Sequence, residues 1–146
     1  MKKILKFIGI LLPWFLGGII FKNDQLFYKT LEKPFFAPPG WLFAIIWPIL
    51  YILISISIYK INTKSKNYLK ALIINYFSNQ IFNFFFFTIK SPFLALIDTI
   101  IVLISSMYLY LETKKENQKT SLFLIPYIIW NIFATILIIS VYLMNI

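Results

Sequence analysis

Cysteine and histidine are both absent from this chain of 146 residues, and each absence closes a class of function. Without cysteine there is neither a disulfide framework nor a thiol redox centre. Without histidine the commonest metal ligand, the commonest general base and the usual axial ligand for haem are gone. Arginine is missing as well: all 14 basic residues are lysines, against five acids, for a formal net charge of +9. Charged residues make up 13% of the chain, about half the share usual in a soluble domain.

What fills the space is apolar. Hydrophobic residues account for 60% and aromatics for 20%, with a mean hydropathy of +0.82. A soluble domain of this length could not hide that surface, so lipid is the expected solvent. A bilayer core of ~30 Å takes roughly 20 apolar residues as a helix. Segments 4–21, 40–59, 68–89, 92–111 and 121–144 meet that length. Residues 1–146 are therefore predicted to form a single domain, an all-α membrane protein built as a five-transmembrane-helix bundle. The long first loop, 22–39, would cap a pocket. The first segment starts like a signal peptide, but Phe21-Lys22-Asn23-Asp24 offers no small-residue cleavage site, so it reads as a retained helix.

The lysines set the orientation. Lys2, Lys3, Lys6, Lys60, Lys64, Lys66, Lys70, Lys114, Lys115 and Lys119 fall on one side, and only Lys22, Lys29, Lys33 and Lys90 on the other. The positive-inside rule then predicts a multi-pass cell-membrane protein with its N-terminus cytoplasmic and its C-terminus outside. No basic patch interleaved with polar residues remains for a phosphate backbone, so nucleic acid is not an expected partner.

Polar side chains inside spans are costly and normally face the bundle interior. Asn75, Asn79 and Asn83 share one face of the third span, Tyr127, Asn131 and Thr135 one face of the fifth, and Trp47, Tyr51 and Ser55 one face of the second. Such groups either hydrogen-bond between helices or line a cavity of aromatic walls with few polar anchors. Asp98 is the only acid within a span and is expected to pair locally with Tyr, Asn or backbone rather than serve a proton relay. Gly9, Pro13 and Gly17 share a face of the first helix, where small residues admit a neighbouring backbone or a second copy.

Several motifs lie on this framework. Phe27-Tyr28-x-x-Leu31-x-Lys33-Pro34-x-x-x-Pro38-Pro39 is followed by Ile46-Trp47, and Leu94-Ala95-Leu96-Ile97-Asp98 opens the fourth span. The fifth carries Pro126-Tyr127-x-x-Trp130-x-x-Phe133-Ala134-Thr135-x-Leu137. In this order they resemble the tryptophan-rich sensory protein/translocator protein family (TspO, the peripheral benzodiazepine receptor). The resemblance implies a five-helix bundle, often a homodimer, with a pocket under the first loop. It implies binding of porphyrins, and in animal members of cholesterol and of benzodiazepine-type or isoquinoline carboxamide drugs. For some bacterial members it implies light-dependent breakdown of protoporphyrin by pocket tryptophans.

By position, Trp47 and Trp130 match those tryptophans and are the candidate photochemical residues. Tyr28, Pro38, Asn83, Asp98, Phe133, Ala134 and Leu137 match other cavity positions, and Tyr51, Asn79, Phe86 and Leu94 complete the expected ligand-binding set. The sequence departs from the family where Phe27 and Phe36 replace loop tryptophans, Leu94 the tryptophan of the fourth span, and Phe84 and Phe86 the aromatic pair after Asn83. Tyr142 and Ile138 stand where many members have Trp and Asn. Phenylalanine keeps a flat wall but lacks the N–H donor and is harder to oxidise than indole.

The expectation is thus a receptor, sensor or carrier for tetrapyrroles and hydrophobic drug-type molecules, with lipid and a second copy as partners. It needs no obligatory cofactor and no metal, and porphyrin enters as ligand. No conventional catalytic constellation is present, so any chemistry would be light-driven. A structural or partner-binding subunit and a lipid or sterol carrier are the rival readings. The sterol pattern fails at Val141-Tyr142, where no basic residue follows, and fits only formally at Leu26-x-Tyr28 with Lys33.

Overall fold

The computed structural model describes residues 1–146, and every regular element in it is helical. Helix α1, Lys2–Leu11, tightens into a 3-10 turn at Leu12–Phe15 before resuming as α2, Leu16–Ile20. Pro13 causes the break, because its ring has no N–H and crowds the preceding turn. Asp24 then caps α3, Gln25–Thr30, accepting the Phe27 N–H at 2.9 Å. Beyond α3 the chain turns extended at Leu31, and Pro39 holds it extended up to α4, Gly40–Lys60.

Helix α5, Lys66–Asn83, runs into a π-helical segment at Phe84–Thr88. Lys90 turns the chain with φ 59°, and Ser91 with Pro92 starts α6, Pro92–Glu116. The short α7, Gln118–Ser121, and a 3-10 turn at Leu122–Leu124 lead into α8, Ile125–Met144.

Lys2–Ile20, Gly40–Lys60, Pro92–Glu116 and Gln118–Met144 are long and apolar enough to cross a membrane. These are four helices where the sequence led us to expect five. The missing one is α5, whose hydropathy is lowered by Lys66, Asn67, Lys70, Asn75, Ser78, Asn79 and Gln80. Two of those amides, Asn75 and Asn79, are buried against other helices. With α1–α2 and α7–α8 each taken as one broken rod, the helices number six, the extra one being α3 in the first connection.

The distribution of polarity is inverted relative to a water-soluble fold. Ile19, Phe77 and Ile129 stand more than 60% exposed, while Ser55, Asn75 and Asn131 are sealed inside. Outward apolar faces and inward polar ones are what lipid selects; this is a membrane protein. Its interior divides into two apolar clusters. One gathers Trp14, Leu50, Ile54, Val102, Leu124 and Tyr127, and the other Tyr28, Phe86, Ala95, Leu137, Ile138 and Val141.

Candidate ligand-binding site

Between those clusters lies a cavity of about 240 Å³, and both contribute to its wall: Trp14 and Val102 from the first, Tyr28, Phe86 and Leu137 from the second. Gly18, Asn23 and Gln25 are exposed lining residues, so the cavity meets the surface where α2, the first connection and α4 converge.

One wall is a continuous series of rings. Phe36 and Phe133 back it from outside: Phe36 meets Phe133 at 6.3 Å between centroids, and Phe133 meets Trp130, the first ring of the wall itself, at 5.2 Å. Trp130 stands at 88° to Trp47 at 6.5 Å; Tyr51 follows at 5.6 Å and Trp14 at 5.8 Å. Edge-to-face and tilted contacts of this kind hold rings in place by roughly 0.5–1.5 kcal/mol each beyond their area. The result is a stiff, flat-sided chamber.

Joined to these rings through Tyr51 is a polar, internally bonded network. Asn75 donates to the Val102 carbonyl at 3.2 Å and to Ser105 Oγ at 3.0 Å, and accepts from Tyr127 Oη at 3.1 Å. Asn79 donates to Tyr127 Oη at 3.2 Å and accepts from Tyr51 Oη and from Gln80 Nε2, each at 3.1 Å. Gln80 reaches further, donating to the Trp14 carbonyl at 3.1 Å while its Oε1 accepts the Gly17 N–H at 2.7 Å. The Pro13 carbonyl accepts from Tyr76 Oη at 2.9 Å. The groups freed by the proline break in the first rod are thereby taken up by α5. Asn75 and Asn79 are interhelical glue, and Asn79 faces the cavity as well.

Of the thirteen positions expected to bind ligand, the structure brings nine to the cavity: Tyr28, Trp47, Tyr51, Asn79, Asn83, Phe86, Trp130, Ala134 and Leu137. Four stand outside its wall. Pro38 accepts a hydrogen bond from Tyr28 Oη at 2.8 Å, fixing the ring that does line it. Phe133 backs Trp130. Leu94 is at the start of α6, and Asp98 is buried behind the wall with Oδ2 unpartnered, so its expected local bond is not made by that oxygen. Asn131, on the polar stripe of the last span, lines the cavity too, whereas sequence reasoning missed Trp14, Phe43, Gln80 and Thr99 as lining residues. Trp14 carried a signal, an aromatic next to Pro13 within an apolar run; Gln80, adjacent to Asn79, fell off the i, i+4 stripe.

The first connection is pinned near its start and at its middle. Asp24 pairs with Lys90 at 3.1 Å, and Asn145 grips both backbone groups of Glu32, accepting its N–H at 3.0 Å and donating to its carbonyl at 2.9 Å. The Phe27 N–H, then Lys90, hold the Asp24 carboxyl below its ordinary value of 3.8. A lowered folded value means the anchor is fully present above pH 3.8 and is lost as pH falls through that lowered value. Protection of the Phe27 amide, corrected for intrinsic exchange, should therefore drop over that acidic window. In Asp24→Ala it should already be low at neutral pH; unchanged protection in the variant would refute the anchor.

Fold and site together define a class: a helical membrane protein whose interior encloses an aromatic-walled chamber with a polar floor. The chain belongs to the TspO/MBR family, whose model matches residues 7–143. It is 33% identical over 136 residues to the tryptophan-rich protein TspO of Bacillus cereus, covering 90% of this chain and 89% of that one. To the membrane protein YtaB of Bacillus subtilis it is 37% identical over 134 residues, covering 88% and 86%. The TspO of Archaeoglobus fulgidus is 31% identical over 154 aligned positions, covering 99% and 97%.

Proposed function

We propose that this protein binds flat, largely apolar ring systems of the tetrapyrrole or drug type within the bilayer, acting as a sensor or carrier. The observation that carries the reading is the pair of near-perpendicular indoles, Trp47 and Trp130, on the wall of an internal chamber. A planar ligand stacks on one and meets the edge of the other, while Asn83, which makes no side-chain hydrogen bond of its own, anchors a polar edge. Helix α5 with its π segment serves as the third of five spans, its amides tolerated because they face inward. The 22–39 connection acts as a lid on the non-cytoplasmic side, stiffened by Pro34, Pro38 and Pro39 so that little entropy is lost on closure. The lysine distribution supports a cytoplasmic N-terminus, and association into a homodimer is part of the reading.

Titrating protoporphyrin into the purified protein should quench tryptophan fluorescence saturably. Trp130→Phe should weaken the affinity about five-fold, the loss expected from roughly 1 kcal/mol of stacking area. Absence of saturable quenching in the unaltered protein would overturn the reading.

A further inference from the structure

The strongest unassigned feature lies at the opposite end from the cavity mouth. Lys2, Lys3, Lys6, Lys60, Lys64, Lys66, Lys70, Lys114, Lys115 and Lys119 are all exposed. Packing brings them to one rim. Lys6 stands 5.3 Å over the Tyr59 ring, joining the start of α1 to the end of α4, and Lys60 stands 5.8 Å over Phe123, joining α4 to the start of the last rod. Tyr68, Leu109 and Leu124 belong to one apolar cluster, which ties the start of α5, the last turns of α6 and the start of the last rod together.

This rim is not neutralised from within. Its acids are Glu112 and Glu116, and the one ion pair formed there is Lys115 to Glu112 at 2.7 Å. Nine ammonium groups are left without a carboxylate. The other rim differs. Lys90 is held by Asp24, and Lys33 donates to the Tyr28 and Leu31 carbonyls at 2.7 and 2.8 Å, so only Lys22 and Lys29 are free. Orientation during insertion accounts for a bias of charge, but it does not require that nine of ten cations on one rim be unpaired while two of the four on the other are bonded within the protein.

We infer that the lysine rim is an interaction surface for anionic phospholipid headgroups, retaining a collar of acidic lipid around this end of the bundle. Compact ammonium groups on flexible stems suit phosphodiester headgroups as point charges, without bidentate geometry. The rings of Tyr59 and Phe123 hold Lys6 and Lys60 at the rim, between apolar span and water. The attraction near a charged leaflet amounts to about five-fold per lysine and decays over a Debye length of ~8 Å at physiological salt. The inference is independent of what occupies the cavity.

The test uses the full chain in mixed micelles of phosphatidylcholine and phosphatidylglycerol at a fixed ratio, with retained lipid measured after purification. Phosphatidylglycerol should be enriched several-fold over the bulk, with the enrichment falling as salt rises. Lys60→Gln/Lys64→Gln/Lys66→Gln/Lys119→Gln should lower the enrichment at least three-fold without changing the melting temperature, and the same four positions as Arg should preserve it. Lys22→Gln/Lys29→Gln on the far rim should leave it unchanged. Retained lipid at the bulk ratio, or equal losses from both rims, would overturn the inference. Displacement by inorganic phosphate beyond that by chloride at matched ionic strength would also overturn it, pointing to a free-anion site instead.

Discussion

Gly17→Ala should destabilise the bundle by about 3 kcal/mol, whereas Gly9→Ala should stabilise it by about 0.5–1 kcal/mol. The i, i+8 spacing predicts one face for the two glycines, and a helix-propensity argument treats them alike, but the 3-10 turn at Leu12–Phe15 lies between them and leaves Gly9 exposed and Gly17 buried. Their surroundings separate them. A Cβ at Gly9 meets nothing within 4 Å, so the alanine only reduces the freedom of the unfolded chain. A Cβ at Gly17 falls 2.5 Å from the Gln80 carbonyl oxygen and 2.9 Å from Gln80 Oε1. The first of these is backbone and cannot swing aside, so α2 and α5 must part. That movement lengthens the Gly17–Gln80 and Gln80–Trp14 bonds, each worth roughly 1 kcal/mol, and the small gain in propensity is overwhelmed. Gly17 and Gly18 both line the cavity, so ligand affinity should fall with stability. Thermal melts of both variants in one detergent provide the check; equal melting temperatures would show that the close approach of α2 to α5 is not limiting.

That contrast illustrates what could be read from the chain alone and what could not. Apolar run length and flanking lysines depend only on local sequence, so four membrane-length helices were legible. The stripes on the second, third and fifth segments were legible for the same reason: i, i+4 spacing puts Asn75 with Asn79, and Trp47 with Tyr51, whatever the partners. Helix α5 was harder, because its hydropathy depends on amides that are acceptable only once Val102, Ser105 and Tyr127 receive them. Contacts far apart in sequence left no trace. Gln80 clipping the broken first rod spans more than sixty residues, and Asn145 holding Glu32 more than a hundred. Pro38, Leu94, Asp98 and Phe133 were expected at the cavity by motif, yet motif position does not say whether a side chain touches the space or supports one that does. Pro38 and Phe133 are of the second kind, acting through Tyr28 and Trp130.

Replacing two of the three wall indoles, Trp47→Phe/Trp130→Phe, should separate binding from photochemistry more sharply than any single change. Each substitution keeps a flat ring, so protoporphyrin should still bind, weakened about thirty-fold if two losses of roughly 1 kcal/mol add. Indole gives up an electron to an excited ring far more readily than benzene does. If Trp47 and Trp130 are the donors, light-dependent loss of bound pigment should fall to the rate in protein-free micelles, at equal occupancy. Trp41→Phe is the control: Trp41 is 63% exposed and off the cavity wall, so neither binding nor bleaching should change. Trp14 complicates the outcome in a useful way. It is buried, lines the chamber and meets Trp47 through Tyr51, so it is a third indole within reach of a bound ring. Bleaching that persists in the double variant but disappears when Trp14→Phe is added would shift the donor role to the first rod. Bleaching at the unaltered rate in the triple variant would remove the protein from the photochemistry and leave a binding site alone.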